Sequence, residues 1–202
     1  MFFQGSLFSL TCSVWFLLVV PASKGDVVFD FEADPVGRVT PFTDTVNGLS
    51  ATFNVLPPFG PAAVCNVSAL GFQTLTGNAL IETACLAGTS GPLDITFSSD
   101  LADVVFDFAT ALGPDIFSVE AFEKKTPVGT KMFRSQPPLG RLNGEGQASF
   151  SEGLLDELVL SSNVSIAVDN IEATKVPEPA CFSEVMGGLV CFVALFSGKR
   201  RR

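Results

Sequence analysis

Carboxylates are the residues of this chain whose type and spacing could do chemistry. Two carboxyl groups can hydrolyse a glycosidic bond without a histidine, one as an acid and the other as a base or nucleophile. The candidates for such a pair are Asp94, Asp100, Asp103, Asp107, Asp156 and Glu157. In an acidic domain, carboxylates of this kind are mostly solvated strand faces and loop ends. We therefore expect no catalytic residues and no enzyme.

Missing residue types exclude several classes of function. The chain contains no histidine, so it lacks the usual base of serine and cysteine hydrolases and the usual ligand of zinc. It contains no tyrosine, and its single tryptophan, Trp15, lies in the first apolar segment. Phenylalanine is the remaining aromatic residue, and it offers a sugar an apolar face without a polar edge. A histidine-dependent hydrolase is excluded, and sugar binding by Trp or Tyr stacking is not expected.

The chain is strongly acidic between its two ends. Residues 26–179 contain 20 Asp and Glu against 7 Lys and Arg, a net charge of −13, whereas the whole chain carries −9. Such a surface repels nucleic acid phosphates. It favours cations, or solubility outside a cell, and we expect no nucleic acid partner.

Residues 1–25 have the pattern of a secretory signal peptide. An apolar segment at residues 7–20 is followed by small residues, with cleavage predicted after Ala22 or Gly25. No Lys or Arg precedes Lys24, so the usual charged start is missing. Cys12 is not preceded by a good lipobox, which argues against a lipid anchor. We predict that the protein is exported.

Two cysteines, Cys65 and Cys85, lie in the body of the chain. In an oxidising compartment they are candidates for a disulfide, which would close a loop of about 20 residues and stabilise the fold by about 3 kcal/mol. The alternative is a pair of free, buried thiols.

Short runs with an apolar period of two predict an all-β sandwich over residues 26–174. The predicted strands are residues 27–32, 49–55, 79–86, 93–97, 101–108, 116–122, 154–160 and 164–171. In the first strand Val27, Phe29 and Phe31 share one face. Proline predicts long loops at residues 56–61 and 135–140. Glycine predicts tighter turns at residues 88–92 and 144–146.

The C-terminal segment, residues 175–202, combines a proline elbow, an apolar run and a block of cations. Its motif is Val176-Pro177-Glu178-Pro179, and its cations are Lys199, Arg200, Arg201 and Arg202. Its apolar run covers residues 180–198 but includes Glu184, and the uninterrupted part is residues 185–196. The run predicts one short transmembrane helix with its C-terminus in the cytoplasm. A permanent anchor explains the run and the cations but not the elbow, which keeps the chain extended. We interpret the elbow as an element that a membrane protease recognises.

This tail resembles the PEP-CTERM sorting signal of bacterial surface proteins. The resemblance implies an exosortase, a membrane-embedded transpeptidase-like protease, as partner, in bacteria that make exopolysaccharide. It also implies that the protein is held in the inner membrane by its C-terminal helix and reaches the cell surface or the extracellular space after processing.

The body resembles the jelly-roll β-sandwiches often found before that signal, which are similar to non-catalytic carbohydrate-binding modules. The residues that carry this resemblance are "SFSEGLLDELVLSS" and "SIAVDNIEAT". It implies a structural calcium ion held by Glu32 and Asp169, with Asp30 and Asp34 as weaker candidates, and carboxylates are suitable ligands for calcium. The alternative is that Glu32 and Asp169 face solvent on alternating strands.

Three hypotheses for the function follow. The first is an exported, non-catalytic surface or matrix protein that is sorted through its C-terminal signal. The second is a carbohydrate-binding module that recognises an extracellular polysaccharide through Phe and polar residues. The third and weakest is a glycan-active enzyme.

Overall fold

The computed structural model describes residues 26–82, 91–111 and 113–176, and within them the protein is all-β, as predicted. The strands are β1 (Asp26–Phe29), β2 (Phe42–Val46), β3 (Leu49–Val55), β4 (Ala63–Asn66), β5 (Asn78–Ile81), β6 (Leu93–Thr110), β7 (Ile116–Glu123), β8 (Thr126–Arg134), β9 (Gly144–Phe150), β10 (Leu155–Ser161) and β11 (Ile166–Lys175). A short 3-10 helix lies at Ser68–Leu70.

The predicted signal peptide and C-terminal helix lie outside these described residues. Within residues 26–82, 91–111 and 113–176, no helix is long and apolar enough to cross a membrane.

One long strand, β6, joins two layers of antiparallel strands. Its first half pairs with β3 on one side and with β10 on the other. β2 pairs with the far side of β3, and β10 pairs with β7, which in turn pairs with the edge strand β8. Its second half pairs with β9 and β11, and β11 in turn pairs with β1 and β5. We name the first layer the front sheet and the second the back sheet. The prediction of a sandwich-like all-β fold is confirmed, and the finer jelly-roll assignment stays a prediction.

Phenylalanine rings fill the core between the two layers. One group gathers around Phe53, with the ring centroid of Phe31 at 5.2 Å, and a second gathers around Phe117, with Phe108 at 4.5 Å. Both pairs meet edge to face, a geometry that contributes about 0.5–1.5 kcal/mol beyond burial. Val27, Phe29 and Phe31 are all buried, as the period of two predicts. Phe31 lies beyond the end of β1, however, at φ 57°.

Several strand predictions were wrong in extent or number. Residues 93–97 and 101–108 belong to the single strand β6, and β2, β4, β8 and β9 were not predicted. Two of these strands carry weak patterns, because β8 is a partly exposed edge strand with Pro127 and Gly129, and β9 begins Gly144-Glu145-Gly146. The tight turn predicted at residues 144–146 is instead the start of β9.

The glycines of β9 are required by close packing rather than by a turn. A Cβ at Gly146 would lie 2.7 Å from Cζ of Phe108, and one at Gly144 would lie 2.3 Å from Oγ of Ser135. Glycine in a strand often marks such a close approach. The sequence alone shows the glycines but not the side chains that need the space.

Candidate functional site

The outward side of the front sheet presents polar side chains from its neighbouring strands. In β3, Leu49, Ala51, Phe53 and Val55 are buried, so Thr52 and Asn54, which alternate with them, point away from the core. The same alternation holds in β6, β7 and β10. The front sheet therefore buries one face and leaves the other open.

Strand register places these outward residues in two rows that cross the front sheet. The first row contains Asn54, Asp94, Val159, Glu120 and Thr130. The second row contains Thr43, Thr52, Thr96, Glu157 and Phe122. Each row crosses five strands, which at about 4.8 Å per strand spans roughly 19 Å. We call these ten residues the polar face.

The polar face combines hydrogen-bonding groups with two partly exposed apolar side chains. Its hydroxyl, amide and carboxylate groups can donate and accept hydrogen bonds over the whole length of both rows. Val159 lies near the middle, and Phe122 lies towards the β8 side of the second row, partly exposed. An open face of this composition suits a long polar ligand that also presents apolar patches.

Two carboxyl groups at the centre of the polar face hold their protons more tightly than usual. Burial raises the pKa of Asp94, although Thr96 Oγ1, 3.4 Å away, donates a hydrogen bond that opposes the rise. Burial also raises the pKa of Glu157, helped by the negative charges of Asp94 and Asp156 and opposed by Lys125. Asp94 and Glu157 are thus close enough for their charges to interact electrostatically.

The structure separates most of the other candidate carboxylates from this pair. Asp107 lies on the back sheet, where Gln147 Nε2 donates a hydrogen bond to its Oδ1 at 3.1 Å. Asp100 pairs with Lys124 at 3.3 Å. Asp103 lies opposite Thr174 in the pairing of β6 with β11. Of the six residues considered, Asp94 and Glu157 are therefore the pair that the fold brings together, and Asp156 is the neighbour of Glu157 in the chain.

Asp169 lies buried at an irregularity of β11, on the back sheet. The strand register shifts between Asp169 and Glu172, and Asn170 takes the left-handed conformation at φ 50°. Asp169 is 1% exposed, so it is not a solvent-facing residue of a regular strand. Its Oδ1 accepts a hydrogen bond from the backbone N–H of Asn170 at 2.8 Å.

Glu32 lies in a turn after β1, and not within a strand as predicted. The left-handed Phe31 ends the extended chain, and the Glu32 side chain then reaches Oε1 to the backbone N–H of Asn78, 3.2 Å away. A Cβ on Gly77 would lie only 1.8 Å from Oε1 of Glu32, so glycine leaves the room for this carboxylate. The sequence gives no signal for this contact, because Glu32 and Gly77 are far apart in the chain.

Four carboxylates form what we call the acidic cluster: Asp30, Glu32, Asp107 and Asp169. Burial raises the pKa of Asp169 to about 7, against the hydrogen bond from Asn170, and the charges of Glu32, Asp30 and Asp107 add to the rise. Among the described residues, no Lys or Arg forms a salt bridge with any of the four. The cluster therefore carries unbalanced negative charge.

The donor chemistry of the acidic cluster fits a calcium ion in part. Carboxylates are preferred calcium ligands, and the fold brings Glu32 and Asp169 near enough for their charges to interact. However, no group of three or more described Asp, Glu or Cys side chains is placed to hold a metal ion. Calcium would need backbone or water oxygens besides Glu32 and Asp169. Asp34 is not available, because it pairs with Arg38.

The remaining predicted site residues fall mostly outside the described part of the chain. Cys65 is disulfide-bonded. Cys85, residues 177–179 of the sorting motif and the cations 199–202 lie outside the described residues, and Val176 is the last residue that the structure describes. The pairing of Cys65 with Cys85 stays a prediction.

A cavity also borders the acidic cluster, but it is small. It has a volume of about 170 Å³ and is lined by Phe29, Asp30, Phe31, Ala33, Asp34, Asp44, Thr45 and Val46. Pockets for small molecules usually enclose about 300–1,000 Å³. The open polar face is therefore the better candidate for binding a large ligand.

Comparison with known proteins yields structural similarity alone. No protein-family model matches the chain, and no curated protein matches it. Solved structures that resemble it include the K1 cleaved adhesin domain of Lys-gingipain from Porphyromonas gingivalis W83, with TM-score 0.45, 13% identity and coverage of 75% of this chain and 99% of that one.

Two carbohydrate-binding modules also resemble it. The CBM22-2 xylan-binding domain of Paenibacillus barcinonensis Xyn10C has TM-score 0.39, 10% identity and coverage of 75% of this chain and 99% of that one. CBM29_1 from Piromyces equi has TM-score 0.35, 12% identity and coverage of 81% and 99%. At these identities and TM-scores, the likeness assigns no ligand and no site to this chain.

Proposed function

We propose that this protein is an exported, non-catalytic β-sandwich that binds an extracellular polysaccharide on its polar face and is sorted through its C-terminal signal. The observation that carries the binding role is the open outer side of the front sheet. There, register aligns hydroxyl, amide and carboxylate groups with Val159 and Phe122 in two rows.

The chemistry of the polar face matches that of a sugar chain. Sugar rings present hydroxyls at their edges and apolar C–H groups on their faces, so they need both hydrogen-bonding groups and apolar contacts. Phe122 supplies the aromatic contact in a chain that has no tyrosine and whose only tryptophan is Trp15. The net charge of −13 over residues 26–179 disfavours polyanions, so a neutral polysaccharide is the preferred ligand.

Affinity electrophoresis and calorimetry with a soluble neutral glucan, a xylan and an anionic alginate test the binding role. We expect retention by a neutral polymer, and a loss of about tenfold in affinity for Phe122→Ala and Asn54→Ala, equal to about 1.4 kcal/mol. Ser149→Ala is the matched control, because Ser149 is exposed on the outer side of the back sheet. Equal affinities for all three variants and the parent would refute the assignment of the face. If none of the three polymers retains the protein, the proposed binding of polysaccharides of these kinds is refuted.

The proposed structural calcium ion joins the two ends of the described body. Glu32 follows β1 and Asp169 lies in β11, the strand with which β1 pairs. A bound divalent cation would neutralise part of the acidic cluster. Glu32 would supply an exposed carboxylate and Asp169 a buried one, and Asn170 would orient Asp169 through its backbone N–H.

Gly77→Ala tests the calcium proposal, because its Cβ would displace the Glu32 carboxylate. Melting is measured with calcium and with chelator, and we expect calcium to raise the melting temperature of the parent and to have little effect on Gly77→Ala. Gly140→Ala is the control for backbone strain, since Gly140 also has a positive φ, 79°, but no atom within 4 Å of an added Cβ. If chelator leaves the melting of the parent unchanged, the protein has no structural calcium.

The sorting role rests on the sequence of residues 176–202. The order of its parts is Pro177-Glu178-Pro179, then the apolar run, then the four terminal cations. A membrane protease would recognise the first part, and the cations after the run would orient a membrane span. Intact mass of the protein recovered from its native host measures processing. We expect removal of the tail from the parent and its retention after Glu178→Gln. Unchanged processing of that variant would restore the simpler role of a permanent anchor.

A further inference from the structure

The last described residues of the chain are fixed to one end of the sandwich. Val176 donates its backbone N–H to the carbonyl oxygen of Asp100 at 3.4 Å. Lys175 pairs with Leu101 in the sheet, and its Nζ donates to the carbonyl oxygen of Asn47 at 2.8 Å. The chain is therefore held in the fold up to Val176, immediately before the Pro177-Glu178-Pro179 motif.

A short tether separates this fixed point from the predicted membrane span. The apolar run begins at Ala180 and is uninterrupted from Val185, after Glu184, so four to nine Cα-to-Cα steps separate Val176 from it. Extended residues in these numbers reach at most about 14 to 32 Å. The end of the sandwich at which Val176 leaves must then be the end nearer to the bilayer.

The contacts of the last strand identify which end this is. Asn47 and Gly48 form the turn between β2 and β3, and the Nζ of Lys175 reaches it. Lys124 and Lys125 form the turn between β7 and β8, and Lys124 Nζ lies 3.3 Å from Oδ2 of Asp100. We call the region of these two turns and Asp100 the exit end.

The opposite end of the sandwich lies a strand length away. β11 has ten residues, and at about 3.3 Å per residue it spans roughly 33 Å from the exit end. The loop between β8 and β9 lies at that far end, and its Leu139 is fully exposed. The two ends can therefore be distinguished by a short-range probe.

The turn of Lys124 and Lys125 has an unusual backbone for its residue types. Both lysines adopt the left-handed conformation, at φ 49° and φ 68°, where Asn and Gly are normally preferred. The Lys124 side chain is 70% exposed, and Lys125 is also exposed. Lys124 Nζ pairs with Asp100 at 3.3 Å and with Glu123 at 3.4 Å, whereas Lys125 forms no salt bridge with a described residue. Lys125 is therefore the cation of this turn that phosphate groups of a lipid surface would complement.

We propose that, in the anchored protein, the exit end lies against the phospholipid headgroups, with the Lys124–Lys125 turn in contact with them. The strands of the front sheet then stand away from the bilayer, and the polar face points sideways along the membrane rather than towards it. This inference rests on the C-terminal anchor of the proposed function and adds to it the orientation of the body. It places the polar face where a polymer lying over the membrane can reach it.

A single tryptophan reports this orientation cleanly, because Trp15 is the only native one. The experiment uses the full chain with Trp15→Phe, reconstituted in phosphatidylcholine vesicles that contain a lipid with a nitroxide on its headgroup. Thr126→Trp and Leu154→Trp place the reporter at two exposed positions of the exit end, and Leu139→Trp places it at the far end. Flotation of the vesicles measures anchoring separately.

We expect the headgroup nitroxide to quench Thr126→Trp and Leu154→Trp several-fold more strongly than Leu139→Trp. Insertion of about ten Gly and Ser residues between Val176 and Pro177, which adds about 17 Å of mean reach, should reduce the quenching at the exit end. Equal quenching at both ends in protein that floats would overturn the orientation while leaving the anchor intact. Protein that does not float with the vesicles would overturn the anchor itself, and the orientation with it.

Discussion

At the residue scale, Asp169 is an acidic side chain in a buried position. It is 1% exposed, yet it belongs to a cluster of four carboxylates, and its pKa is raised to about 7 mainly by burial. A buried charge of this kind persists only where something else compensates for it. Protonation removes the charge below about pH 7, and the calcium ion proposed above would compensate for it at higher pH.

Asp169 predicts how stability changes with pH when the protein is free of metal. Because its pKa is higher in the folded state than in the unfolded state, the folded state binds the proton more tightly. The free energy of unfolding should therefore fall as the pH rises from about 4 towards 7, where Asp169 loses its proton in the folded state. Above that pH the loss is complete.

Denaturant unfolding in chelator, at about pH 5 and about pH 8, measures this effect. We expect the parent to be less stable at the higher pH and Asp169→Asn to show a much weaker dependence. Calcium should reduce the loss in the parent and have little effect on the variant. If parent and variant have equal pH dependence, Asp169 is ionised in the folded protein throughout this range.

At the scale of elements, two hairpin turns at the exit end adopt the same left-handed backbone conformation with different residues. The turn between β2 and β3 uses Asn47 and Gly48, at φ 48° and φ 73°. The turn between β7 and β8 adopts similar angles with Lys124 and Lys125. Asn-Gly matches this geometry, whereas other residues lose about 1–2 kcal/mol per left-handed position. The second turn therefore retains strain that a simple substitution would remove.

Replacing Lys124-Lys125 by Asn-Gly should stabilise the protein by about 1 kcal/mol or more. The hydrogen bond from the backbone N–H of Lys124 to Oδ1 of Asp156, at 3.0 Å, does not depend on the side chain. Denaturant unfolding measures the gain. The reciprocal change, Asn47-Gly48 to Lys-Lys, is the matched control and should destabilise by a similar amount. A loss of stability in the first variant would mean that the lysine side chains contribute more than the strain removes.

The long strand β6 shows how a single element decides the arrangement of both candidate sites. Its first half carries Asp94 and Thr96 on the outer side of the front sheet, and its second half carries Asp107 on the outer side of the back sheet. The sequence predicted two strands here, because Ser98, Ser99 and Asp100 interrupt the apolar period. Sheet pairing with β10 and β11 carries the strand through this interruption.

At the scale of the whole molecule, the disulfide at Cys65 links β4 to the rest of the chain. We predict Cys85 as its partner. Reduction should then lower the free energy of unfolding by about 3 kcal/mol on the chain-entropy model. Peptide mapping of the unreduced protein identifies the partner, and unfolding with and without reductant measures the stability. A peptide that links Cys65 to Cys181 or Cys191 would contradict the prediction.

The sequence by itself determined the class of the fold and much of what the protein cannot do. The apolar period of two is a local property, so the all-β class and the shared face of Val27, Phe29 and Phe31 could be predicted from the residues alone. The absence of histidine likewise excludes its chemistry in any fold.

Only the tertiary structure decided which residues meet. Asn54, Asp94, Val159 and Glu120 come from four separate strands, and their alignment depends on strand register, which long-range pairing fixes. The same is true of Glu32 over Gly77 and of the irregularity that buries Asp169. Alternation along a strand tells which side chains point outwards, but the neighbours of each one are chosen by parts of the chain far away in sequence.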